Sequence, residues 1–176
     1  LPSDVSSMLL GVGVVSMAIT PYMIDHARSW SIFLSQEKSP QSHDLEQLPE
    51  NENLENHVII CGFGRIGQTV SRYLKQESID FVAIDIDPLR TRTAREAGEN
   101  VLFGSSRQTE LLTAAHLSTA KLVVIAFGED KQSLEVVQKV RSISPIVPIL
   151  VRTRNDDHLE MLYDAGANEV VPESLE

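Results

Sequence analysis

From His57 onward, short apolar runs alternate with longer amphipathic stretches. The runs fall at 57–61, 81–85, 100–103, 121–126, 147–151 and 168–171 and are rich in Val and Ile. Segments of helical periodicity lie between them, at 65–77, 88–97, 107–116, 130–143 and 155–165. Apolar runs this short read as strands, and strands that are apolar throughout are covered on both faces, as in a parallel sheet flanked by helices. Right-handed crossovers wind such a sheet outward in both directions from its first strand. The pattern predicts an α/β fold over residues 57–176: a Rossmann-like, doubly wound, parallel six-stranded sheet in the order 3-2-1-4-5-6.

Upstream the pattern is different. Val5 to Ile24 (VSSMLLGVGVVSMAITPYMI) contains no charged residue. Twenty residues at the helical rise span about 30 Å, the thickness of a bilayer's hydrocarbon core. Gly11, Gly13, Ser16 and Ala18 are small enough to let membrane helices approach closely. Pro21 stands where a helix ends or kinks, and His26, Arg28 and Trp30 form a basic, aromatic exit. The expectation is a membrane helix at about 5–24, its rivals being a signal peptide and a buried helix. Gln36 to Asn56 then carries six acidic residues, one lysine and two prolines among Asn, Gln and Ser. So few apolar side chains cannot offset the entropy of ordering, so 36–56 reads as a flexible acidic linker. A tail docked on the following domain is the alternative. The chain begins at Leu1 and reads as a piece of a longer protein.

The chemistry concentrates in HVIICGFGRIGQTV, residues 57–70, where an apolar run meets Gly62, Gly64 and Gly67. In a strand–turn–helix unit Gly62 permits the sharp turn, Gly64 lets backbone approach a phosphate, and Gly67 lets the helix pack close to the sheet. The helix N-terminus presents free amides and partial positive charge to an anion. Arg65 lies in the turn, as a phosphate contact or as a solvated arginine. FVAIDID follows, with Asp85 positioned 23 residues after Gly62. A carboxylate there accepts ribose hydroxyls and repels a 2′-phosphate. Ile86 and Asp87 follow at the same edge, and Asp87, just before Pro88, also suits a helix cap. Gly104, Ser105 and Ser106 end the third strand at the lip of the cleft, where Ser106 or Thr109 alternatively caps the next helix. Ala126, Phe127 and Gly128 border the opposite wall.

Composition narrows the partners. The chain is 42% hydrophobic and 23% charged, enough for a packed core. A net charge of −10, without a Lys/Arg stripe, excludes nucleic acid as the expected partner. Cys61 is the only cysteine, which excludes an intrachain disulfide. The histidines at 26, 43, 57, 116 and 158 share no ligand spacing, so no metal site is expected. Cys61 reads as a small core residue and His116 as a packed helix-end histidine.

These motifs resemble the RCK, or TrkA-N, regulatory domains of bacterial potassium transport. The chain as a whole is similar to the C-terminal end of a Kef-type monovalent cation:proton antiporter-2 protein. SMAITP (16–21), CGFGRIG, AIDIDP, the GSS position, TELLTAAHLSTAKLVV and VRTRNDDHLEMLYDAGANEVVPESLE carry the resemblance. It implies that residues 1–35 end a transmembrane domain, 36–56 link, and 57–176 form a nucleotide-binding regulatory domain rather than an enzyme. It implies AMP or NAD(H) as ligand, held by Gly62, Phe63, Gly64, Arg65, Ile66, Gly67 and Asp85 together with the residues at the neighbouring strand ends. The family's usual acid after the third strand is Ser105 here, and Arg107 and Arg152 fall where family members carry basic residues near the cleft. A homodimer is implied, with Leu134, Val137, Val140 and Ile143, or Leu159 and Leu162, as contact faces. The implied location is a bacterial inner membrane, with this domain on its cytoplasmic side and joined to its own antiporter unit. The other readings are a soluble Trk-type peripheral subunit and an NAD-dependent dehydrogenase fragment. The latter lacks a substrate domain, because the chain ends just after the sixth expected strand.

Overall fold

The computed structural model describes residues 54–154 and 156–173. The expected membrane helix at 5–24 and all but the last three residues of the expected linker lie outside them. Six strands form one parallel sheet: β1 (Val58–Cys61), β2 (Phe81–Asp85), β3 (Val101–Phe103), β4 (Leu122–Ile125), β5 (Ile149–Thr153) and β6 (Glu169–Pro172). Their spatial order is β3-β2-β1-β4-β5-β6, as the apolar pattern predicts. The helices are α1 (Arg65–Gln76), α2 (Pro88–Glu96), α3 (Thr109–Ala114), α4 (Asp130–Ile143) and α5 (Leu159–Asp164). Strand β1 is central, with Cys61 in register with Ile84 on one side and Ile125 on the other.

Side chains alternate across the sheet and so divide the interior into two layers. Ile59, Cys61, Ile84, Ile125 and Ile149 face Leu112 of α3, Val136, Val137 and Val140 of α4, and Leu162 of α5. Val58, Ile60, Ala83 and Val124 face the other way, with Ala94 of α2 and the half-buried Val70 and Leu74 of α1. Each fully buried Val, Leu or Ile among them contributes about 1.5–3 kcal/mol. Core packing uses part of each face expected to mediate a dimer. Val137, Val140 and Leu162 are fully buried, and Leu134, Ile143 and Leu159 pack against the same layer. These six residues hold α4 and α5 on the sheet.

Three boundaries differ from the sequence expectation. Helix α3 covers only 109–114, because His116 enters the left-handed region (φ 54°) and begins a 3-10 turn at Leu117–Thr119. Helix α5 is likewise preceded by a 3-10 turn, Asp156–His158. Strand β5 starts after Pro148 and runs on through Arg152 and Thr153, polar residues that an apolar run does not mark. Upstream, Leu54 is buried, its carbonyl accepts from Thr119 Oγ1 (2.8 Å), and the Asn56 amide donates to Thr119 O (2.9 Å).

Two polar side chains, the buried His57 and the half-buried Arg141, tie helices to neighbouring segments. His57 is fully buried, with Nε2 2.8 Å from the Ala115 carbonyl and Nδ1 unpartnered. Burial lowers its pKa below the ordinary 6.5, against a smaller opposing effect of that carbonyl. Arg141 near the end of α4 donates to Gly166 O (2.9 Å), Val147 O (2.6 Å) and Asn168 Oδ1 (2.7 Å). Asn168 Oδ1 also accepts from the Ile149 amide (2.8 Å), so one guanidinium links α4 to the segments that lead into β5 and β6.

Candidate functional site

The strands point their C-terminal ends to one edge, and the order reverses direction between β1 and β4. Crevices outside that switch point are where open α/β sheets take ligands. The turn between β1 and α1 is built for close packing. Gly62 has φ +93°, and its amide donates to Ile84 O (2.8 Å). A Cβ on Gly67 would lie 2.1 Å from Gly62 O, so α1 reaches the strand only because this position lacks a side chain. Gly64, the N-cap of α1, is different: a Cβ there would meet nothing within 4 Å. Its exposed face looks into open space beside first-turn amides that have no partner within the helix. No acidic residue lies in that first turn.

The space is a cavity of about 520 Å³, within the usual range for small-molecule sites. Gly62, Gly64, Arg65 and Ile66 line it from the turn, Asp85 and Ile86 from the end of β2, and Gly104, Ser105 and Ser106 from the end of β3. Ala126, Phe127 and Gly128 close it from the end of β4. Three residues expected there do not line it. Phe63 turns its ring into the interior against Phe81, with centroids 6.4 Å apart. Gly67 packs under the helix. Asp87 caps α2, accepting from the Leu89 and Arg90 amides at 3.0 Å each. The Arg90 amide, aided by the guanidinium's charge, holds the Asp87 carboxyl below its usual range. Neither Ser106 nor Thr109 caps α3: its N-cap is Gln108, and Thr109 is its first residue.

At the mouth, Asp85 is buried (4% exposed) and accepts from the Phe63 amide (2.6 Å) and the Asp87 amide (2.8 Å). Arg90 Nη1 donates to both of its oxygens at 2.8 Å. Cys61 lies beneath the floor, hydrogen-bonded with Ser106. Burial pushes its thiol pKa up to about 12, the reverse of a reactive cysteine.

Five arginines line the cavity of this acidic protein: Arg65, Arg90, Arg107, Arg152 and Arg154. Arg107 sits at the rim, donating to Ser105 Oγ (3.2 Å) and pairing with Glu135 (2.9 Å). Arg152 and Arg154, two apart at the end of β5, flank Glu173, and Arg152 forms an ion pair with it. The hydrogen bond from Arg152 lowers the Glu173 pKa, with help from the charges of Arg154 and Arg65. Sequence reading missed Arg90, Arg154 and Glu173. The signals were present as a basic residue one turn into the helix after the ribose-edge acid, and as the alternation in VRTR. Among the described residues no group of His, Cys, Asp or Glu is placed to hold a metal, and no helix is long and apolar enough to cross a membrane.

The sequence model of the TrkA-N domain matches residues 58–173, which takes in all six strands. The chain belongs to the TrkA-N family. The chain is 34% identical to K(+) efflux antiporter 1, chloroplastic, of Arabidopsis thaliana over 98% of its length. It spans only 14% of that protein, and 27% of the glutathione-regulated potassium-efflux protein KefC of Escherichia coli, to which it is 29% identical. Among solved structures, the AMP-bound C-terminal domain of Shewanella denitrificans Kef superposes with a TM-score of 0.60 at 29% identity, covering 67% of this chain and 71% of that one. The NAD-bound GsuK channel superposes with a TM-score of 0.64 at 25% identity, covering 97% of this chain and 31% of that one.

Proposed function

We propose that this TrkA-N domain is the nucleotide-sensing regulatory part of a potassium (monovalent cation)/proton antiporter and binds AMP or NAD(H). The observation that carries the reading is a single cavity with opposite chemistry at its two ends. A glycine turn, a helix N-terminus and arginines suit phosphate, while the buried Asp85 suits a ribose. The AMP and NAD named with the Kef and GsuK structures support the same ligand class. In this reading the nucleotide is bound and released unchanged. It biases the transporter only by the difference in its affinity for two conformations. The proposal places the domain on the cytoplasmic side of a bacterial inner membrane, following a membrane helix at 5–24 and a linker at 36–56, and includes a homodimer. The dimer rests on the family resemblance, since Val137, Val140 and Leu162 of the expected contact faces are buried in the core while Leu134, Ile143 and Leu159 are only partly covered.

Calorimetric titration of the purified chain with AMP, NAD⁺ and NADH tests the ligand class, and mass spectrometry identifies any nucleotide that copurifies. Saturable binding of at least one, with NADH left unoxidised, is the expected result. No binding of any adenine nucleotide at millimolar concentration would reject the reading.

A further inference from the structure

The carboxylate best placed to receive a ribose is already fully engaged. An ionised carboxylate offers about four acceptor positions. Asp85 uses two for the Phe63 and Asp87 amides, which are main-chain donors fixed by the turn and by the start of α2. The other two take Arg90 Nη1, at 2.8 Å from each oxygen. A ribose diol brings two O–H donors, and no acceptor on Asp85 remains for them while Arg90 is in place.

Of these donors, only the guanidinium can leave. Arg90 is the third residue of α2, its side chain is 38% exposed, and it hangs on a flexible stem at the cavity wall. It also has a second anchor, because Nη2 lies 3.1 Å from the half-exposed Asp87 Oδ2. A rotation about the stem can therefore free Asp85 and keep the guanidinium paired at the rim.

Resting on the reading of this cavity as an adenine-nucleotide site, we propose that Arg90 is an internal competitor of the ribose. It occupies the diol-binding side of Asp85 in the empty domain and must swing off before a ligand with free 2′ and 3′ hydroxyls can be read. Arg90 thereby sets how much the site gains from those hydroxyls. Ligands lacking the diol bind without moving it.

The test compares AMP with 2′,3′-dideoxy-AMP by calorimetry on the unaltered chain and on Arg90→Ala, with circular dichroism to verify the fold of both. Arg90→Ala is expected to tighten AMP binding about tenfold, the scale of one charge-assisted hydrogen bond, and to leave dideoxy-AMP within about twofold. An independent readout needs no variant. The guanidinium NMR signals of Arg90 should be slow to exchange in the empty chain, released by AMP and unaffected by dideoxy-AMP. An unchanged AMP-to-dideoxy-AMP ratio in Arg90→Ala, or weaker AMP binding, overturns the proposal while leaving the site reading intact. Tighter binding of NADPH than NADH by the unaltered chain also overturns it, since Arg90 would then be a ligand for a 2′-phosphate. If neither protein binds any adenine nucleotide, the site reading fails and the inference falls with it.

Discussion

Gly64 and Gly67, three positions apart in the same turn, do opposite jobs, and single substitutions separate them. Gly67 lies against the Gly62 carbonyl, so Gly67→Ala should cost at least about 3 kcal/mol of stability by forcing α1 off the strand. Gly64 has an ordinary φ of −73° and open space where a side chain would go. Gly64→Ala should therefore leave the unfolding free energy within about 1 kcal/mol of the parent. The same methyl would stand where a phosphate approaches the α1 amides, and nucleotide affinity should fall at least about tenfold. Chemical denaturation and calorimetry on the two variants check both halves. The glycine spacing and Asp85 were legible in sequence because a motif fixes backbone geometry within a few residues. Arg90 left a signal in its spacing, but its pairing with Asp85, like that of Glu173 with Arg152, is set by how α2 and the end of β6 dock. The inward turn of Phe63 was hidden for the same reason: its position in the motif says nothing about which layer its ring enters.

At the level of elements, the apolar runs located all six strands because parallel strands buried on both faces carry a strong local signal. That signal weakens toward the outer strands. Strand β5 alternates buried and half-buried residues, and in β6 only Val170 is buried. Their placement depends instead on Arg141, whose polar contacts cannot be seen in a hydropathy pattern. Arg141→Leu removes donors to three main-chain carbonyls and to Asn168 while keeping most of the aliphatic stem. It should destabilise the fold by about 2–4 kcal/mol. Hydrogen exchange should rise first at the amides of β5 and β6, and equal loosening across the whole sheet would contradict this local role. The short α3 and α5 were overestimated because their flanking residues form 3-10 turns, which share much of the helical periodicity.

For the whole molecule, His57 ties stability to acidity. Its folded pKa lies below its unfolded value, so between the two the unfolded chain binds the extra proton. Stability is then unaffected by this group well above pH 6.5 and declines as pH falls through that value toward the folded pKa, by up to about 1.4 kcal/mol per pH unit. Urea melts from about pH 7.5 to about pH 5.5 should show this slope, and His57→Gln should flatten it. A slope unchanged by that substitution would assign the acid sensitivity to other groups. The sheet's two borders have a different consequence. At one edge β3 has only three residues, and at the other β6 ends in Pro172 and carries Glu169 exposed to solvent. Short length, a missing N–H and charge all discourage an incoming strand, so copies of this domain resist the edge-to-edge aggregation that open sheets invite.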